Sequence, residues 1–124
     1  METKNNIEVS VMEFSKRPGP RYDEQGENSG ERFYLTVLKE AFKKAQEGHT
    51  HLIVNLDGVD GYASSFIDEA FGNLVYEFGA DQIKDVLELV SKEEPEWERF
   101  IKNEVVLNWE RRRIEKKAPK RTMH

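Results

Sequence analysis

Asn55-Leu56-Asp57-Gly58-Val59-Asp60-Gly61-Tyr62-Ala63-Ser64-Ser65-Phe66-Ile67-Asp68-Glu69-Ala70-Phe71-Gly72 carries the chain from one apolar pattern into another. Just upstream, Leu52-Ile53-Val54 with Leu56 is a continuous apolar run, the pattern of a strand covered on both faces. Downstream, Phe66, Ile67, Ala70, Phe71, Leu74, Val75 and Phe78 recur at helical spacing until Gly79. Asp57-Gly58 and Asp60-Gly61 between them are turn signals. The paired Ser64 and Ser65 therefore stand where a strand hands over to a helix. The first N–H groups of a helix lack intrahelical partners and its dipole favours negative charge. The position suits a capping hydroxyl or a phosphate.

Working outward, Ile7, Val9 and Val11 alternate with polar residues in the period-2 pattern of a strand. Residues 15–30, with two prolines and three glycines, form a long loop of the kind that is functional or disordered. Asn28 or Ser29 caps the next element, with Glu31 in its first turn, and Tyr34, Leu38, Ala41, Phe42 and Ala45 fall on one helical stripe ending at Gly48. Residues 83–90 fit a strand or a helical turn, and a strand is favoured because it supplies a third member for two helix crossovers. Pro95 opens a last helix, about 95–116, with Trp97, Ile101, Val105 and Trp109 four apart. The order strand, loop, helix, strand, helix, strand, helix implies an α/β domain. Its sheet of three to four strands is mostly parallel and packs with three helices. Sites in such sheets gather at the carboxyl ends of the strands, where Leu56 delivers the serine pair.

The 124 residues are read as one domain, 1–117, with a disordered basic tail, 118–124. There are no cysteines, which excludes disulfides and thiol chemistry, and no apolar run approaches a membrane span of about 20 residues. The expectation is a cytoplasmic protein of bacterial or viral style. From Trp109 onward seven Lys/Arg stand against two Glu, a balance of +5, which leaves −10 on residues 1–108 of a chain at −5 overall. An acidic body matches a dedicated nucleic-acid binder poorly, although the tail itself suits contact with RNA or DNA.

The sequence strand, turn, serine pair, helix resembles the core of STAS domains, the anti-sigma-factor antagonists. From Ile7 to Val90 the chain is more closely similar to a STAS-like family of uncharacterised function. The resemblance rests on Arg21-Tyr22, Ser29-Gly30-Glu31, Tyr62-Ala63-Ser64-Ser65-Phe66 and Asp68-Glu69. It implies a small non-enzymatic regulatory module that docks on a histidine-kinase-like ATPase, which phosphorylates a serine at a helix start and so ejects the domain. The acceptor position falls on Ser65, with Ser64 before it. Ala63 and Phe66 stand where the wider STAS motif has aspartate and glycine.

Each of these residues also has a plainer role. Ser65-Phe66-Ile67-Asp68 fits a capping box, so the serine caps a helix, accepts phosphate, or does both. Arg17, Arg21 and Tyr22 in the loop, with Tyr62, Asp68 and Glu69, form the expected partner-binding surface, Arg and Tyr being favoured at binding hot spots. Asp57, Asp60, Asp68 and Glu69 support an alternative, a small metal-dependent enzyme, although turns and caps account for each acid. His49 and His51 lack a third ligand nearby in sequence. No nucleotide loop or catalytic triad is present, so neither a cofactor nor a resident metal is expected. The Trp97/Trp109 stripe is core or a homodimer face, and Arg111-Arg112-Arg113 is a basic helix end.

Overall fold

A computed structural model describes residues 5–123. Residues 1–4 of the expected domain and His124 of the expected tail lie outside the described residues. Three parallel strands, β1 (Ile7–Ser10), β2 (Leu52–Asn55) and β3 (Leu87–Val90), form one sheet with β2 in the centre. The register aligns Val9, Val54 and Leu89 across it. The apolar run around Ile53 thus becomes the central strand, with Leu52 and Val54 fully buried.

Five helices surround the sheet among the described residues. The first, α1 (Val11–Phe14), is a single turn. In the second, α2, residues Gly30–Phe33 and Lys39–Glu47 are α-helical and the intervening Tyr34–Leu38 forms a wider π turn. Then come α3 (Ser64–Phe78) and α4 (Ala80–Val86). The last, α5, runs through Glu96–Phe100, a second π turn at Ile101–Val105, and Val106–Ile114. Residues 83–90, favoured as a strand, divide between the end of α4 and β3. Gly79, at φ +87°, starts α4, and Ile83 alone of its residues is buried, so an amphipathic turn precedes the strand.

Helix α3 packs against both α2 and α5. Aromatic rings in and around its first turn knit the elements together: Phe66 lies 5.7 Å from Phe33 and 6.1 Å from Tyr62, and Tyr62 lies 5.6 Å from Trp97. The turns at the carboxyl ends of the strands are tied to one another. Asp57 accepts the amides of Lys92 and Glu93 beyond β3, Glu93 returns a bond by accepting from Gly58, and Asp60 N–H donates to the Lys16 carbonyl beyond β1. Tyr62 closes the turn by donating its hydroxyl to the Leu56 carbonyl at 2.6 Å. The edge that presents Ser64 and Ser65 is a braced platform.

Candidate functional site

Helix α3 begins at Ser64, with Ala63 as the residue before it in extended conformation. The capping box expected over Ser65–Asp68 does not form. The amides of Phe66 and Ile67 turn to the Ala63 carbonyl instead, and no side chain caps the helix. Asp68 is drawn away by two stronger partners: Arg21 Nη1 at 2.7 Å and the Trp109 indole N–H at 3.0 Å. Ser64 is exposed and Ser65 half-buried, and neither hydroxyl makes a hydrogen bond among the described residues.

One turn into α3 the charged residues converge. Arg21 Nη1 also lies 3.1 Å from Glu69 Oε1, and Glu69 is only 1% exposed. The amide of Asn73 donates at 2.7 Å to the other Glu69 oxygen, and Arg121 Nη1 donates at 2.7 Å to Asn73 Oδ1. Burial pushes the Glu69 carboxyl above its ordinary value, opposed by Asn73, Arg21 and Arg121. Burial would lower the Arg21 guanidinium, but Asp68 and Glu69 together hold it above its usual range.

The Ser29-Gly30-Glu31 motif sits beside this group. Ser29 caps α2 by accepting the Arg32 amide at 3.0 Å, and the Arg32 guanidinium holds Asp23 by two bonds at 2.8 and 3.0 Å. Gly30 sets how closely α2 approaches α3, since a Cβ there would stand 2.4 Å from the Phe66 carbonyl oxygen. Glu31 is fully buried and accepts the amides of Asp23, Thr122 and Met123 at 2.9, 2.6 and 3.2 Å, together with the Thr122 hydroxyl.

Of the residues expected to bind a partner, Arg21, Asp68 and Glu69 are brought together and satisfy one another. The Tyr62 hydroxyl is used internally, and the Tyr22 ring lies 5.0 Å under the Lys120 ammonium. Arg17 remains exposed and pairs with Asp60 at 3.0 Å. The four acids of the metal alternative are divided: Asp57 braces the turn after β3, Asp60 faces Arg17, and Asp68 and Glu69 face Arg21. No group of three or more His, Asp or Glu placed to hold a metal ion occurs among the described residues. Trp109 is buried within the chain, over Gly72 of α3.

Sequence reasoning missed Asn73, Arg121 and the role of Glu31. Asn73 had a signal, an amide on the otherwise apolar stripe between Ala70 and Leu74. Arg121 had none, because residues 118–123 carry no periodicity; they lack regular secondary structure yet lie against the loop before α2 at Glu24, α2 at Glu31 and α3 at Asn73.

Residues 29–97 match the family described as the STAS-like domain of unknown function (DUF4325). No curated protein and no solved structure matches the chain. The matched span starts at the Ser29 cap, includes the central strand, the serine pair and Glu69, and ends at Trp97. With more than half of its length matched, the parallel sheet in place and both sequence motifs meeting at α2 and α3, the chain belongs to the family of STAS-like domains of unknown function.

Proposed function

We propose that this domain is a non-enzymatic regulatory module that docks on a histidine-kinase-like ATPase through the start of α3 and is switched by phosphorylation there. The supporting observation is the state of the serine pair: two hydroxyls in the first turn of a fifteen-residue helix, without internal partners among the described residues. A braced turn presents them, and no side chain occupies the open amides of the helix start. Those amides and the helix dipole favour an anion. Ser65 is the acceptor that the family resemblance implies, and Ser64 beside it is the more exposed. Arg17, exposed on the neighbouring loop, extends the surface for contact.

Phosphorylation adds about −1.5 to −2 charges at pH 7, enough to disrupt an interface closed around the helix start. The test is intact mass after incubation with ATP and a histidine-kinase-type ATPase from the same genome. The expected result is a single-phosphate mass increase that is lost in Ser65→Ala or Ser64→Ala, with complex formation lost alongside phosphate gain. An unchanged mass, or an increase that survives both substitutions together, removes the switch.

A further inference from the structure

Residues 118–123 have no regular secondary structure, yet each of three successive side chains among them has a specific partner on the domain. Lys120 Nζ lies 2.8 Å from Glu24 Oε1 and over the Tyr22 ring. Arg121 donates to Asn73, approaches Glu77 at 3.9 Å and lies 5.8 Å over the Tyr34 ring. The Thr122 oxygen accepts the Glu24 amide at 3.0 Å, and its hydroxyl donates to Glu31. Beneath them one Glu31 oxygen takes the successive amides of Thr122 and Met123. That carboxylate reads main chain, while Glu24, Glu77 and two aromatic rings read cationic side chains.

We propose that this groove is a receptor for a short basic segment with a Lys-Arg-Thr core, and that residues 118–123 occupy it in cis as a displaceable strap. The attachment is polar: Lys120 and Arg121 stay exposed, and Thr122 and Met123 are only half-buried. A segment held by charge and hydrogen bonds, with little apolar burial, opens far more easily than the core. The flanks of the groove are held by bonds within the domain, and Glu31 keeps the Asp23 amide without the strap. Ser29 and Arg32 anchor Asp23 on one side, while Arg21 holds Glu69 and, through it, Asn73 on the other. Release of the strap exposes a preformed, acid-lined groove whose complement is another protein's basic segment. This reading is independent of the serine switch, because it uses neither hydroxyl at the start of α3.

A labelled peptide with the sequence of residues 117–123, titrated by fluorescence anisotropy, tests it on the full chain. A short tether holds the strap at an effective concentration on the order of millimolar. A peptide that binds in the 100 µM range is therefore weakened roughly tenfold by the native strap. The full-chain double variant Lys120→Glu/Arg121→Glu, repelled by Glu24 and Glu77, is expected to bind the native-sequence peptide about tenfold more tightly than the unaltered chain does. The same peptide with Glu in place of its arginine is expected to lose binding. Equal affinity for both chains, or no binding to either, overturns the proposal. Amide exchange on the unaltered chain decides the matter if the variant fails to fold. Thr122 and Met123 are expected to be protected relative to the free peptide and to open well before β2. Exchange as fast as in the peptide, or as slow as in β2, refutes a displaceable strap.

Discussion

A methyl group on Gly72 would stand 2.1 Å from Trp109 Cε2 and 2.3 Å from Nε1, so the indole rests directly on the backbone of α3. The same indole donates to Asp68 one turn earlier, and its ring is 1% exposed. Helix α5 is thereby keyed to α3 at one spot by the absence of a side chain. Gly72→Ala is expected to destabilise the fold by about 1–3 kcal/mol through overpacking. In a Trp109→Ala background the clash is gone, and the same change should stabilise by up to about 1 kcal/mol, the ordinary helix preference for alanine. Urea unfolding of the four chains measures the coupling, and additive effects would contradict the contact.

Arg21 compensates a carboxylate that is almost fully buried. Arg21→Ala leaves Glu69 with Asn73 as its hydrogen-bond partner and the more distant Arg121 as its counter-charge, and a cost of about 2–4 kcal/mol is expected, below the largest values for broken buried pairs because Asp68 retains access to water. Glu69→Gln in the Arg21→Ala background should recover part of that loss. Failure to recover any would mean that the Glu69 charge is not what Arg21 offsets.

The two serine positions differ in what they do for their helices. Ser29 accepts a helix amide and donates to Asp23, so Ser29→Ala is expected to cost about 0.5–2 kcal/mol. Ser65 caps nothing, and Ser65→Ala should stay within about 0.5 kcal/mol of the unaltered chain. Thermal unfolding under identical conditions compares them. A large loss at Ser65 would restore it as a structural cap.

Glu31 and Glu69 pull the pH dependence of stability in opposite directions. Burial pushes the Glu31 carboxyl up, but the Thr122 hydroxyl and the amides of Asp23, Thr122 and Met123 outweigh it and hold it below the usual value. Its contribution is complete above the unfolded value of about 4.3 and is lost as pH falls through the lower folded one. Glu69, raised by burial, binds its proton more tightly when folded. Stability therefore declines as pH rises from about 4.3 through the raised value. Unfolding free energies between about pH 3 and pH 8 should show Glu31→Gln flattening the acid limb and Glu69→Gln flattening the limb above it. An unchanged slope in either variant contradicts the corresponding assignment.

The central strand and the helix after it were legible because their apolar spacing is strong and Asp-Gly turns punctuate the junction between them. The boundary at Leu87 was not, since α4 passes into β3 without a glycine or proline to mark it. The serine pair was placed correctly at a helix start, but its capping role was misread. Local pattern puts an acid three residues after Ser65, whereas the tertiary structure supplies that acid with Arg21, 47 residues away in sequence. Tertiary partners override local capping when they offer charge. The strap was beyond local reading altogether: Thr122 and Glu31 are 91 residues apart, and nothing in the composition of 118–123 distinguishes a bound segment from a free one.

The two π turns have a consequence for how this chain tolerates change. Each helix that flanks α3 carries one, at Tyr34–Leu38 and at Ile101–Val105, and both ends of each turn are buried. A π turn holds one residue more than the regular winding needs, and one residue is about 100° of rotation. Deleting a single residue from 34–38 would regularise the helix and leave its two ends in their present phase, whereas the same deletion from a wholly regular helix swings one end through about 100° relative to the other. Gly30 would stay against the Phe66 carbonyl and Glu31 beneath Thr122, while Phe42 and Ala45 kept their places. Each π turn is therefore slack in the length of its helix, and that stretch can lose one residue without a rewritten face.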